Sequence, residues 1–129
     1  MRKMLLMCSL IIVSNSAIAD WVKAGGNEEF TVYYDSTTIR KNGNKVKMWV
    51  MVDFKKAQYD PRGEPYLTEL QQMEYDCKEG QSRMLAFSQY SGNMQEGNAI
   101  HFNSDPWKWQ PILPQSNAES DWKFACGIK

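Results

Sequence analysis

The chain has 129 residues, with 15 basic side chains balanced by 15 acidic ones and 43% hydrophobic residues. That length allows one domain around one core, and the neutral balance argues against a nucleic-acid binder, which would need a basic surface. After the first residues, no apolar stretch approaches the ~20 needed to cross a bilayer, so the mature chain is expected to carry no transmembrane segment.

The N-terminus reads as an export signal. Met1-Arg2-Lys3 is a positive start, Met4 to Val13 is uncharged, and Ala17-Ile18-Ala19 is a small-x-small cleavage site before Asp20. This order of parts defines a secretory signal peptide over residues 1–19, with cleavage between Ala19 and Asp20 and a domain over residues 20–129. Cys8 follows Met7, not the small residue that lipid attachment prefers, so it reads as an apolar member of the signal, lipidation being the alternative. Loss of Arg2 and Lys3 takes the basic count from 15 to 13 against 15 acids, a mature net charge of −2. The product is expected in the periplasm or at the outer cell surface. Only Cys77 and Cys126 then remain, and two cysteines in an oxidising compartment usually form one disulfide.

The mature chain reads as strands separated by turns. Gly25-Gly26 is a bend without the pattern of a phosphate loop. Phe30 to Tyr34 is β-branched and aromatic, which suits a pleated surface. Thr37 to Arg40 is a short segment, and Asn42-Gly43 is the favoured pair for a tight type I′ hairpin. In the longest strand candidate, Val46, Met48, Val50, Val52 and Phe54 alternate with Lys45, Lys47, Trp49, Met51 and Asp53. The first set is a core face. Trp49 and Met51 require a cover on the other.

Asp60-Pro61-Arg62-Gly63 fits a type I turn. Leu67 to Cys77, Ser82 to Tyr90 and Ala99 to Phe102 are further strands, joined by turns at Lys78-Glu79-Gly80 and between Gly92-Asn93 and Gly97-Asn98. Short connections at this spacing favour an antiparallel meander. Near the end, Ser116 and Glu119 have capping-box spacing, and Gly127 stands where a helix C-cap falls. Ala118, Trp122, Ala125 and Cys126 share a face of that helix. So short a helix needs a docking surface. The Trp49 and Met51 face is a candidate, with a Cys77–Cys126 bond pinning the helix there. The predicted class is mainly β (α+β): a single antiparallel meander with a short C-terminal helix packed on one face.

Catalytic chemistry is hard to find. His101 is the sole histidine and reads as a strand or surface residue without positioned partners. No metal-ligand spacing is present, and no cofactor is expected. Glu64, Glu69, Glu74, Asp76 and Glu79 read as a solvated strand face more readily than as a glycosidase pair. Trp107-Lys108-Trp109, between Pro106 and Pro111, is the unusual feature. Exposed tryptophans could stack on a sugar or anchor a protein partner, whereas a lid over the sheet core is the commoner fate of large aromatics. Trp107, Lys108 and Trp109, with Lys45 and Lys47, are the candidate partner-binding residues.

The chain resembles the surface-adhesin protein E-like family of small exported bacterial proteins. The similar pieces are Tyr34-Asp35, Thr38-Ile39-Arg40, Asn42-Gly43 and Val46 to Trp49. They continue with Glu74 to Lys78, Gln81-Ser82-Arg83, Ser91 to Met94, Ser104-Asp105-Pro106 and Trp122 to Gly127. The resemblance implies a sheet with a disulfide-tied C-terminal helix, and adhesion to host matrix glycoproteins. The expected function is that of a non-enzymatic envelope protein that binds a protein or glycoprotein partner. The alternative is a periplasmic structural or small-ligand-binding domain without a host role.

Overall fold

A computed structural model describes residues 20–129, and the expected signal at 1–19, with Cys8 and Ala19, lies outside the described residues. Seven strands form one antiparallel sheet. They are β1 (Trp21–Gly26), β2 (Phe30–Asn42), β3 (Lys45–Tyr59), β4 (Pro65–Asp76), β5 (Gln81–Tyr90), β6 (Ala99–Asn103) and β7 (Gln110–Pro111). Spatial order follows chain order from β1 to β6, and β7 pairs with β5. Among the described residues one α-helix, α1 (Asn117–Cys126), ends the fold. The predicted meander is therefore observed. β1 and β7 are strands that the sequence reading did not assign. The segments around Phe30 and Thr37 form one strand, β2, interrupted by a shift of register between Asp35 and Arg40. In that shift the Thr38 hydroxyl accepts the Trp49 N–H at 3.1 Å, replacing a ladder bond.

The turn chemistry holds with one displacement. Asn42 pairs with Lys45, so the hairpin loop is Gly43-Asn44 and not Asn42-Gly43. Gly43 has φ 61 and Asn44 is not left-handed. That is the pattern of a type II′ turn, in which only the first central residue needs positive φ. The Asp60 turn closes as expected, with the Gly63 N–H donating to the Asp60 carbonyl at 2.9 Å. The buried Asp60 carboxylate also accepts the N–H groups of Glu64 and Arg62. Those backbone bonds, that of Glu64 first, and then the Arg62 side chain hold its carboxyl below the usual range.

Ser116 caps α1 by accepting the Glu119 N–H at 3.2 Å, and Gly127 ends it at φ 67. The docking face differs from the expected one. The helix lies on the side of Val46, Met48 and Val50, where it meets Tyr34 and Tyr75 through Ala125 and Trp122. Those strand positions form an apolar surface of matching length, whereas the Trp49 side is flanked by Lys45 and Lys47. Trp122 Nε1 donates to the Asp76 carbonyl at 3.0 Å, and Cys77 bonds Cys126 with Cα atoms 5.8 Å apart.

One end of the opposite face is closed by a turn. There Gly92 to Gln95 folds over β3 and β4. Thr68 Oγ1 donates to the Gly92 carbonyl and accepts from the Gln95 N–H. Asp53 accepts from Asn93 Nδ2 and the Met94 N–H, each at 2.9 Å. Met51, opposite Tyr33 and Leu70 at the centre, is fully buried, and Trp49 is half-buried.

Candidate functional site

The other end of this second face is where the predicted binding residues meet. Antiparallel register places Lys47, Glu74 and Arg83 side by side across β3, β4 and β5. Directly opposed residues share a face. The shift in β2 brings Arg40 opposite Lys47. Arg40, Lys41, Asn42, Lys45, Lys47 and Glu74 line a cleft of about 180 Å³.

The tryptophan segment completes the site. The Trp107 N–H donates to the Met84 carbonyl at 2.8 Å, and Gln110 pairs with Ser82. These bonds fix the segment along the edge of β5 and turn the Trp109 ring toward the cations. The Arg83 guanidinium carbon lies 4.6 Å from the Trp109 ring centre, and Lys45 Nζ lies 5.6 Å from it. Arg83 also binds Glu74 Oε1 through both Nε and Nη2 at 2.8 Å. Trp107 is 55% exposed and Lys108 is exposed. Trp109 thus lies beside Lys45, and Lys45 and Lys47 line one cleft, while Trp107 and Lys108 precede Trp109 on the same edge segment. Trp107 is not a core lid, because its segment runs beside the sheet edge and not over the apolar face.

Sequence reading missed two members of the site. Glu74 was placed on a solvated face, yet it is 7% exposed and paired. Arg83 was not selected. Only the strand register aligns them with Lys47, and no local pattern near Arg83 announces it. His101 pairs with Gln89 and rests on Phe87, ring centres 5.4 Å apart, as a strand residue.

A second cavity, about 200 Å³, lies between β1, β2 and the start of α1, lined by residues including Gly25, Gly26, Phe30, Val32, Tyr34 and Asp121. The Tyr34 hydroxyl donates to the Asp121 carboxylate. Burial raises the Asp121 carboxyl, with the Tyr34 bond opposing, and burial chiefly raises the Tyr34 and Tyr75 hydroxyls. Among the described residues, no group of three or more His, Cys, Asp or Glu is arranged to hold a metal, and no helix is long and apolar enough to cross a membrane.

The family described as Surface-adhesin protein E matches residues 21–127. No curated protein sequence matches significantly. Among solved structures, Haemophilus influenzae protein E is similar at 14% identity and TM-score 0.65, over 85% of this chain and 89% of that one. Its crystal form II gives 14% identity and 0.62, over 82% and 96%. Protein E from non-typeable Haemophilus influenzae gives 13% and 0.65, over 88% and 79%. At these identities the structural likeness establishes the fold.

Proposed function

The chain belongs to the surface-adhesin protein E family, and from that premise we propose that it is an exported, non-enzymatic envelope protein that binds another macromolecule in the manner of an adhesin. The contact surface is the Trp107–Trp109 segment with Lys45 and Lys47. The supporting observation is Trp109 held between Lys45 and Arg83 beside an exposed Trp107. Interfaces concentrate their energy in such aromatic and basic anchors. The exposed Trp107 has little to contribute to the core, so a recognition role accounts for its place better than a packing role.

Protease shaving of intact cells tests the location. Removal of the protein supports an adhesin, and survival beside a degraded surface marker places it in the periplasm. A pull-down with the full exported protein tests the surface itself. Trp107→Ala should lose captured material while the melting temperature stays unchanged. Capture that falls only in proportion to stability would return the tryptophans to a packing role. The cavity beside Asp121 favours the other reading, a small-ligand-binding periplasmic domain. Survival of shaving together with an unaffected Trp107→Ala would select it.

A further inference from the structure

We propose that the cleft beside Trp109 binds an anionic polysaccharide, a sulfated or uronate-bearing sugar chain. The inference rests on the binding reading above and names its ligand chemistry. Arg40, Lys45 and Lys47 bring three cations to the cleft, against one carboxylate, Glu74. Glu74 is already neutralised by Arg83 at 2.8 Å. The three cations are exposed and make no ion pair among the described residues. Charge of one sign on a protein that is neutral overall marks a local anion site.

The surroundings of the cations select sugar over nucleic acid. Lys45 borders a second depression lined with Asn42, Asn44, Asp76, Lys78 and Glu79. Amides and carboxylates there suit hydroxyl groups, which both donate and accept. Trp109 has cations set over its ring, so it does not offer the row of free aromatic faces on which successive bases stack. The exposed indole of Trp107 gives one apolar platform for the C–H face of a pyranose ring. Sulfate or carboxylate groups on the sugar meet Arg40 and Lys47, and ring hydroxyls meet the asparagine side.

The test is calorimetric titration of the full exported protein with a heparin-derived hexasaccharide. The controls are its desulfated form, maltohexaose and a single-stranded oligonucleotide of equal charge. The hexasaccharide should bind, with affinity falling as salt rises. Maltohexaose and the oligonucleotide should bind at least about tenfold more weakly, and the desulfated form, which keeps its uronate carboxylates, should fall between them and the hexasaccharide. Lys45→Gln with Lys47→Gln should weaken binding about tenfold or more at an unchanged melting temperature, since both side chains are exposed. Trp107→Ala should also weaken it. Equal binding of maltohexaose or the oligonucleotide overturns the proposal, as does hexasaccharide binding that ignores these substitutions. Failure to bind the hexasaccharide also overturns it. If Trp107→Ala still abolishes pull-down of another macromolecule, the binding reading stands without this ligand, and if it does not, both fall.

Discussion

Val46, Met48 and Val50 lie beneath a helix, whereas Lys45, Lys47 and Trp49, one residue out of phase on the same strand, do not. The first face is closed by apolar contact and locked by Cys77–Cys126. The second is closed at one end by hydrogen bonds from the Gly92–Gln95 turn and carries the exposed Lys45 and Lys47 at the other. The difference separates stability from recognition. Changes beneath the helix should unfold the protein, and changes at the lysine end should alter what it binds.

Cys126→Ala breaks the comparison most strongly. The bond closes a loop with a sequence separation of 49, and the chain-entropy estimate for that length is about 4 kcal/mol. Urea unfolding of the oxidised protein and the variant should show that loss, with reduced helix signal. Met48→Ala should cost ~2–5 kcal/mol in the same assay, because Met48 is wholly inaccessible.

Glu74→Ala sits at the boundary of the two regions. It strands Arg83, whose side chain is 29% exposed, so the cost should be smaller than for a deep pair, about 1–2 kcal/mol after solvent screening. Chemical unfolding should show this loss, and ligand affinity should change with it as Arg83 moves against Trp109.

Acid titration sharpens the comparison by sign. The Asp121 carboxyl is raised in the folded protein. Its stabilising share is complete below the unfolded value near 3.8 and is lost as pH rises through the folded pKa. Asp121→Asn keeps an acceptor for Tyr34 and removes the buried charge. It should therefore gain on the parent chain at neutral pH, and the gain should shrink as pH falls toward 3.8. The Asp60 carboxyl is lowered, so its share is present above 3.8 and is lost as pH falls through the folded pKa. The stability of Asp60→Asn relative to the parent should be worst at neutral pH and recover in acid. Thermal melts across pH 3 to 7 check both directions.

The smallest expected effect on stability is that of Trp107→Ala. An exposed side chain on the sheet edge should cost within about 0.5 kcal/mol, measured by thermal melt, while binding is lost.

The legible parts of the fold were those with local causes. Alternation in Lys45 to Phe54, the Asp60-Pro61-Arg62-Gly63 turn, and Ser116 with Gly127 around a helix each act within a few residues. They identified strands, turn and helix without the fold. β7 was not legible because Gln110-Pro111 has no strand pattern and pairs only where β5 offers an edge. The helix was legible as an element but not in its docking. Both faces of β3 carry large apolar groups, and the choice depends on Tyr34 and Tyr75 from neighbouring strands.

The candidate site divides in the same way. Trp107, Lys108 and Trp109 are legible because such a segment between prolines is unusual, and Lys45 and Lys47 because they are basic residues on the longest strand. Arg83 and Glu74 are not, since Lys47, Glu74 and Arg83 lie far apart in the chain and meet through two strand registers. By itself the sequence determined periodicity, turns, caps and the pair of cysteines available for a bond. Tertiary structure decided which face the helix covers and which charges share a cleft, because both depend on register between strands that no local interaction sets.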